Sequence, residues 1–196
     1  MSLAVAPAGA QDKTIFEDHF DHQLSAGWSW IRQQPAHWCV RDGALEIRNM
    51  PGDAATVENA LVRKAPDRRE GEFAIEVTVT ALIEPIQQYE QAGLTLYHNG
   101  KPVFKLVKEL VDGQRMIIPG RKPMEHPTVQ LRLIVTADSY TVQYRAAGKG
   151  PFQTAGTGPL PPPGDDQISL QCYHGPSDKN HWIRFDDFRI VPLESK

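Results

Sequence analysis

The sequence is poor in the features that mark several large functional classes. Its 196 residues contain only two cysteines, and no Cys-x-x-Cys pair or cysteine-histidine cluster stands at the spacing zinc requires. Lysine and arginine total 21 against 24 aspartates and glutamates, and no long run of either sign occurs. A nucleic-acid partner needs a basic stripe that displaces counterions from phosphates, so this balance argues against one. No stretch approaches the roughly 18 to 20 consecutive apolar residues of a membrane-spanning helix. No window keeps an apolar spacing of 3.6 residues, which makes helix a minor component. A Gly-x-Ser-x-Gly elbow and a phosphate-cradling glycine loop are also missing, which removes two common routes to catalysis.

What the chain does have is punctuation and alternation. Sixteen prolines and fifteen glycines interrupt it at short intervals, and 40% hydrophobic residues suffice for one continuous core. A single sandwich domain over 13–193 follows, behind a segment 1–12 read as disordered or as the remnant of an export signal. Leu3 to Ala10 are small and apolar, and Ala8-Gly9-Ala10 has the small-x-small form of a signal-peptidase site. The expected location is therefore extracellular or periplasmic, with the cytoplasm as the alternative. Cys39 and Cys172 are read as unpaired core thiols, a disulfide between them being the alternative in an exported protein.

Period-two alternation is clearest in Phe73, Ile75, Val77 and Val79, where Glu72, Glu76, Thr78 and Thr80 point the other way. Val129, Leu131, Leu133 and Val135 repeat it, and Tyr140, Val142 and Tyr144 return as the second arm of a hairpin. Shorter strands are expected over 28–31, 38–41, 44–48, 59–64, 92–97, 103–110, 115–118 and 168–173. Asp42-Gly43, Asn99-Gly100 and Asp112-Gly113 each predict a tight hairpin, because both residues tolerate positive φ. Irregular loops are expected over 50–58, 119–127 and 146–166. The aromatic ends, Phe16 and Phe20 against Phe185 and Phe188, predict paired terminal strands, with Asp186 and Asp187 in a β-bulge. About a dozen strands imply two packed antiparallel sheets.

Three stretches carry a family resemblance: Phe16-Glu17-Asp18-His19-Phe20 with Gly27-Trp28-Ser29-Trp30-Ile31-Arg32; Tyr89-Glu90-Gln91-Ala92-Gly93-Leu94 running on through Phe104-Lys105 to Glu109; and Trp182-Ile183-Arg184-Phe185-Asp186-Asp187-Phe188. Together they resemble the concanavalin A-like lectin/glucanase superfamily, in particular bacterial laminin-G-like domains related to the C-terminal sandwich modules of β-xylosidases. The resemblance implies an all-β, two-sheet antiparallel jelly-roll sandwich whose concave sheet often meets carbohydrate. The Glu-x-Asp-x-(x)-Glu strand of the hydrolytic glucanases is absent, so their activity is not carried over.

Alternation places Lys105, Val107 and Glu109 on one face of their strand, with Gly93, Thr95 and Tyr97 beside them. Sugar binding needs a flat ring for the pyranose face and polar groups for its hydroxyls. Trp30, Arg32, Tyr89, Gln91, Tyr97, Lys105 and Glu109 would supply both, with His174 and Trp182 at the border. Trp28 and Trp38 are read as core. The leading function is a non-catalytic, carbohydrate-binding or carbohydrate-associated domain that holds an oligo- or polysaccharide on its concave sheet. One alternative is a glycan-processing hydrolase that uses Glu109 with Glu90 or with a loop histidine, His174 or His181, since two carboxylates can serve as acid and base. Another is a structural or self-association module, the oligomeric state staying open. No cofactor is required. Asp18, His19, Asp21 and His22 offer mixed donors, but strand alternation sends neighbours to opposite faces, which disfavours zinc. A structural calcium at Asp18, Asp186 and Asp187 is the metal the pattern allows.

Overall fold

The computed structural model describes residues 14–193 apart from Lys149. The expected export segment 1–12 lies outside the described residues. Strands run in the order β1 (Phe16–Asp18), β2 (Ser29–Ile31), β3 (Trp38–Arg41), β4 (Ala44–Arg48), β5 (Ala60–Lys64), β6 (Phe73–Ala81), β7 (Gln91–His98), β8 (Lys101–Val111), β9 (Gln114–Ile118), β10 (Lys122–Pro123), β11 (Thr128–Val135), β12 (Ser139–Ala146), β13 (Gln153–Pro159), β14 (Asp166–Tyr173) and β15 (Trp182–Pro192). They form two sheets. The first has the order β13-β12-β11-β6-β15-β4-β3, with β1 also on β15, and the second is β10-β9-β8-β7-β14-β5-β2.

The inward phase of each strand fills the space between the sheets. Phe73, Ile75, Val77 and Val79 from β6 meet Leu94, Leu96, Leu106 and Leu170 from the second sheet in one buried cluster. Each such side chain contributes about 1.5–3 kcal/mol by leaving water. All three predicted tight turns form. Asp42, Asn99 and Asp112 each hold φ 51°, and Gly43, Gly100 and Gly113 follow at 68°, 76° and 76°. Positive φ at both central positions matches the right-handed twist of the flanking strands.

The chain ends pair as expected, with Phe16 opposite Ile190 and Asp18 opposite Phe188. The register of β15 against β6 shifts between Asp186 and Arg189, and Asp187 takes φ 50°. This bulge divides one edge of β15: its first half pairs with β4 through Trp182 to Phe185, its second half with β1. Two expectations need correction. Residues 146–166 are not wholly irregular, because β13 lies within them on the edge of the first sheet. Residues 119–127 likewise contain β10, at the edge of the second. An edge strand needs hydrogen bonds on one side only and so tolerates the glycines and prolines that hid both. Cys39 and Cys172 are free thiols.

Candidate functional site

The outer face of the second sheet carries the polar phase of its central strands. Cross-strand register puts Tyr173 opposite Gln91 and Gln91 opposite Glu109, so the three form a row across β14, β7 and β8. Ser169, Thr95 and Lys105 form a parallel row. The Lys105 ammonium joins the two rows by donating to Gln91 Oε1 at 2.6 Å and to Glu109 Oε2 at 2.9 Å. Gln91 Nε2 is spent on the Tyr89 carbonyl at 2.8 Å. Glu109 is buried behind the lysine, whose side chain stays 34% exposed. The pair thus offers solvent a donor whose charge is already compensated.

Part of this face is roofed. Residues 50–58 cross it, and the Ala54 carbonyl accepts from the Tyr97 hydroxyl at 2.6 Å and from Gln171 Nε2 at 3.5 Å. Asp53 shapes the crossing by accepting from the amides of Ala55 and Thr56 and from the Thr56 hydroxyl. Beside the roof a hollow of about 250 Å³ remains, lined by Ala54, Thr95, Pro102, Val103, Phe104, Lys105 and Tyr173. Thr95 is 1% exposed, and its hydroxyl meets that of Tyr173 beneath the hollow. Burial, and next the charge of Glu109, push the Tyr173 phenol well up, so it stays a neutral donor. An aromatic wall continues outward: the ring of Tyr173 lies 5.6 Å from that of His174, which lies 6.3 Å from that of Tyr89. Tyr89 is 48% exposed. Tyr89 and His174 hold φ 68° and 60°, conformations that cost non-glycine residues about 1–3 kcal/mol.

The fold therefore brings together Tyr89, Gln91, Lys105, Glu109 and His174, and separates the other residues considered for the groove. Tyr97 is on the expected face but serves as a pillar under the roof. Arg32 is at the end of β2, where its Nε donates to the Val57 carbonyl at 2.5 Å and pins the far side of the same loop. Trp30 is opposite Leu61, shares its inward phase and packs on Trp38 at 4.6 Å between centroids, so it belongs to the core. Trp182 is on the outer phase of β15, in the other sheet. Trp28 packs edge-on against Phe16 and Phe188. The hollow also takes in Thr95, on the face where alternation puts it, together with Tyr173 and Val103, of which Val103 is the residue that sequence reasoning missed although it shares the phase of Lys105.

The proposed acid-base pair is also divided. Glu90 shares the phase of Ala92 and Leu94 and turns inward, whereas Glu109 turns outward. Glu90 Oε1 meets His181 Nδ1 at 2.7 Å, and Glu90 Oε2 accepts the Ile86 amide at 3.1 Å. Since His181 comes from the lead-in to β15, the pair fastens one sheet to the other. The carboxylates considered for calcium diverge as well. Asp18 points inward and accepts from the amides of Phe20 and Ser25 and from Trp28 Nε1, each at 2.9 Å. Asp187 faces outward to His19 and the Thr78 hydroxyl. Among the described residues no three histidine, cysteine or acidic side chains converge on one point.

This geometry defines a class, the two-sheet antiparallel sandwich of the concanavalin A-like type. More narrowly, residues 17–160 match the family of β-xylosidase C-terminal concanavalin A-like domains, and the chain belongs to that family. Solved structures with the same fold include the GH43 BlXynB protein from Bacillus licheniformis, with a TM-score of 0.74 and 17% identity. A second is the xylan β-1,4-xylosidase from Bacillus halodurans C-125, with a TM-score of 0.68 and 17% identity. The chain aligns over 97% and 95% of its own length with these two but spans only 41% of each. The CBM2 module of the evolved Dit protein of Lactobacillus casei BL23 phage J-1 is similar at a TM-score of 0.59 and 12% identity, with 93% of this chain and 97% of that one covered. Comparison with curated proteins found no match.

Proposed function

We propose that the domain binds a saccharide through the hollow on its second sheet, one ring lying against Tyr173 and Val103. Lys105 Nζ would donate to one hydroxyl, while the exposed ring of Tyr89 would offer a stacking face to the adjoining unit. The observation that carries this reading is the hollow itself, with the part-exposed Lys105 ammonium in its lining and one of that ammonium's protons unused. Hydrolysis is disfavoured because Glu90, the carboxylate that would pair with Glu109, is committed to His181 and the Ile86 amide.

Relatives named as β-xylosidases make xylose and xylo-oligosaccharides the first probes. Titration followed by amide NMR is expected to give saturable shifts at Thr95, Lys105 and Tyr173, with a single sugar unit binding at about 1 mM, or about −4 kcal/mol. Lys105→Met should weaken binding about tenfold, equivalent to about 1.4 kcal/mol. Shifts confined to the first sheet, or none across a broad glycan panel, would refute the proposal and leave a structural or self-association role.

A further inference from the structure

We infer that the hollow selects an uncharged sugar and rejects the corresponding uronic acid. The inference rests on the saccharide reading above and narrows the ligand class. Lys105 is the one cationic side chain among the seven lining residues, so a sugar carboxylate entering the hollow would have to seek its ammonium. That ammonium is already held by Glu109 Oε2 at 2.9 Å and by Gln91 Oε1 at 2.6 Å. Glu109 is 6% exposed, so it can neither swing into water nor regain its lost partner there. A uronate would therefore either take Lys105 and strand a buried carboxylate, or share the lysine and sit beside a like charge. Asp53 adds a second negative charge near the Tyr173 hydroxyl. That hydroxyl, held neutral by its burial, offers a carboxylate one hydrogen bond and no charge.

A neutral ring meets none of these penalties. An ammonium has three protons and two are in use, so the third is free for a sugar hydroxyl with the Lys105–Glu109 pair intact. The pair thus works as a polar contact with no net charge.

The test is a titration of the full chain with methyl β-xylopyranoside, methyl β-glucopyranoside and methyl β-glucuronopyranoside, followed at the amides of Thr95, Lys105 and Tyr173. The last two differ only in the group on C5, a hydroxymethyl against a carboxylate. The expected result is at least tenfold weaker binding of the glucuronide than of the glucoside, with Glu109→Gln bringing the two within about threefold. Equal or tighter glucuronide binding by the wild type overturns the inference and leaves the saccharide reading standing. Exclusion of the glucuronide that persists unchanged in Glu109→Gln also overturns it, because size rather than charge is then selecting. If that variant does not fold, the neutral methyl β-glucuronamide takes its place: binding within about threefold of the glucoside supports the inference, and exclusion as strong as the glucuronide's overturns it. No shift at those amides with any of the three removes the saccharide reading and this inference together.

Discussion

Replacing Arg68 with methionine should cost the domain a large share of its stability although it does not line the hollow. Arg68 sits in the connection between β5 and β6 with 2% of its surface exposed. Its Nε donates to Asp166 Oδ2 at 2.7 Å, its Nη1 to the Ala137 carbonyl at 2.7 Å and its Nη2 to the Pro161 carbonyl at 2.9 Å. One guanidinium thereby ties the β11–β12 turn of the first sheet to the start of β14 in the second and to the proline-rich segment before it. Breaking a buried pair by removing one partner costs about 3–5 kcal/mol. Asp166 keeps a contact to His98 Nδ1 at 2.8 Å, which places the loss near the lower end, about 3 kcal/mol. For a chain of this length each kcal/mol moves the melting midpoint by about 2–4 °C, so Arg68→Met should melt about 6–12 °C lower in calorimetry. Arg68→Lys keeps the charge but not the three-way geometry and should fall between. The double variant Arg68→Met, Asp166→Asn should lose less than the two single losses added, by about 1–3 kcal/mol. A single variant that melts within about 2 °C of wild type, or strictly additive losses, would refute this account.

Gly93→Ala should lose about 3 kcal/mol in urea unfolding, because its methyl would stand 2.3 Å from the Leu106 carbonyl oxygen and 2.9 Å from Val107 Cα, backbone atoms that cannot rotate away. A loss under about 0.5 kcal/mol would show that β7 and β8 separate easily. Burial lowers the inward-facing Lys108 to about 8, against 10.5 for the free side chain, so between those values the unfolded chain holds the proton that the folded one has released. Wild-type stability should therefore rise relative to Lys108→Met between about pH 8 and about pH 10, and parallel trends in the two urea midpoints would contradict this. Burial also raises the Cys172 thiol, with Glu90 adding to it, so a thiol reagent should label Cys39 in the native state and reach Cys172 only after unfolding. Equal labelling rates read by mass spectrometry would disprove that burial.

Much of the fold was legible because its determinants are local. Alternation set the phase of β6, β11 and β12, and Asp-Gly or Asn-Gly pairs set three hairpins. Phase, however, does not say which sheet a strand joins. Trp182 is outward as a phase but lies in the first sheet, and Trp30 is inward because its edge strand pairs with β5. Glu90 shows the limit most sharply: it adjoins Gln91, the cross-strand partner of Glu109, and that single step puts it on the other side of the sheet. β13 escaped notice because Gly156, Gly158 and Pro159 interrupt its pattern, and an edge ladder depends on backbone rather than side chains. The roof over Tyr97 was unreadable for a related reason, since it is held through the carbonyl of Ala54, which any residue would provide.

That last contact makes the crossing segment replaceable in a way the floor is not. Gln171 and Tyr97 grip position 54 by its main chain, leaving the methyl of Ala54 beside the cavity. A bulkier residue at this one place would shrink the chamber and a glycine would enlarge it, with every strand beneath undisturbed. Exchanging that one small side chain would thus reshape the hollow while sparing the main-chain contacts that fasten the segment.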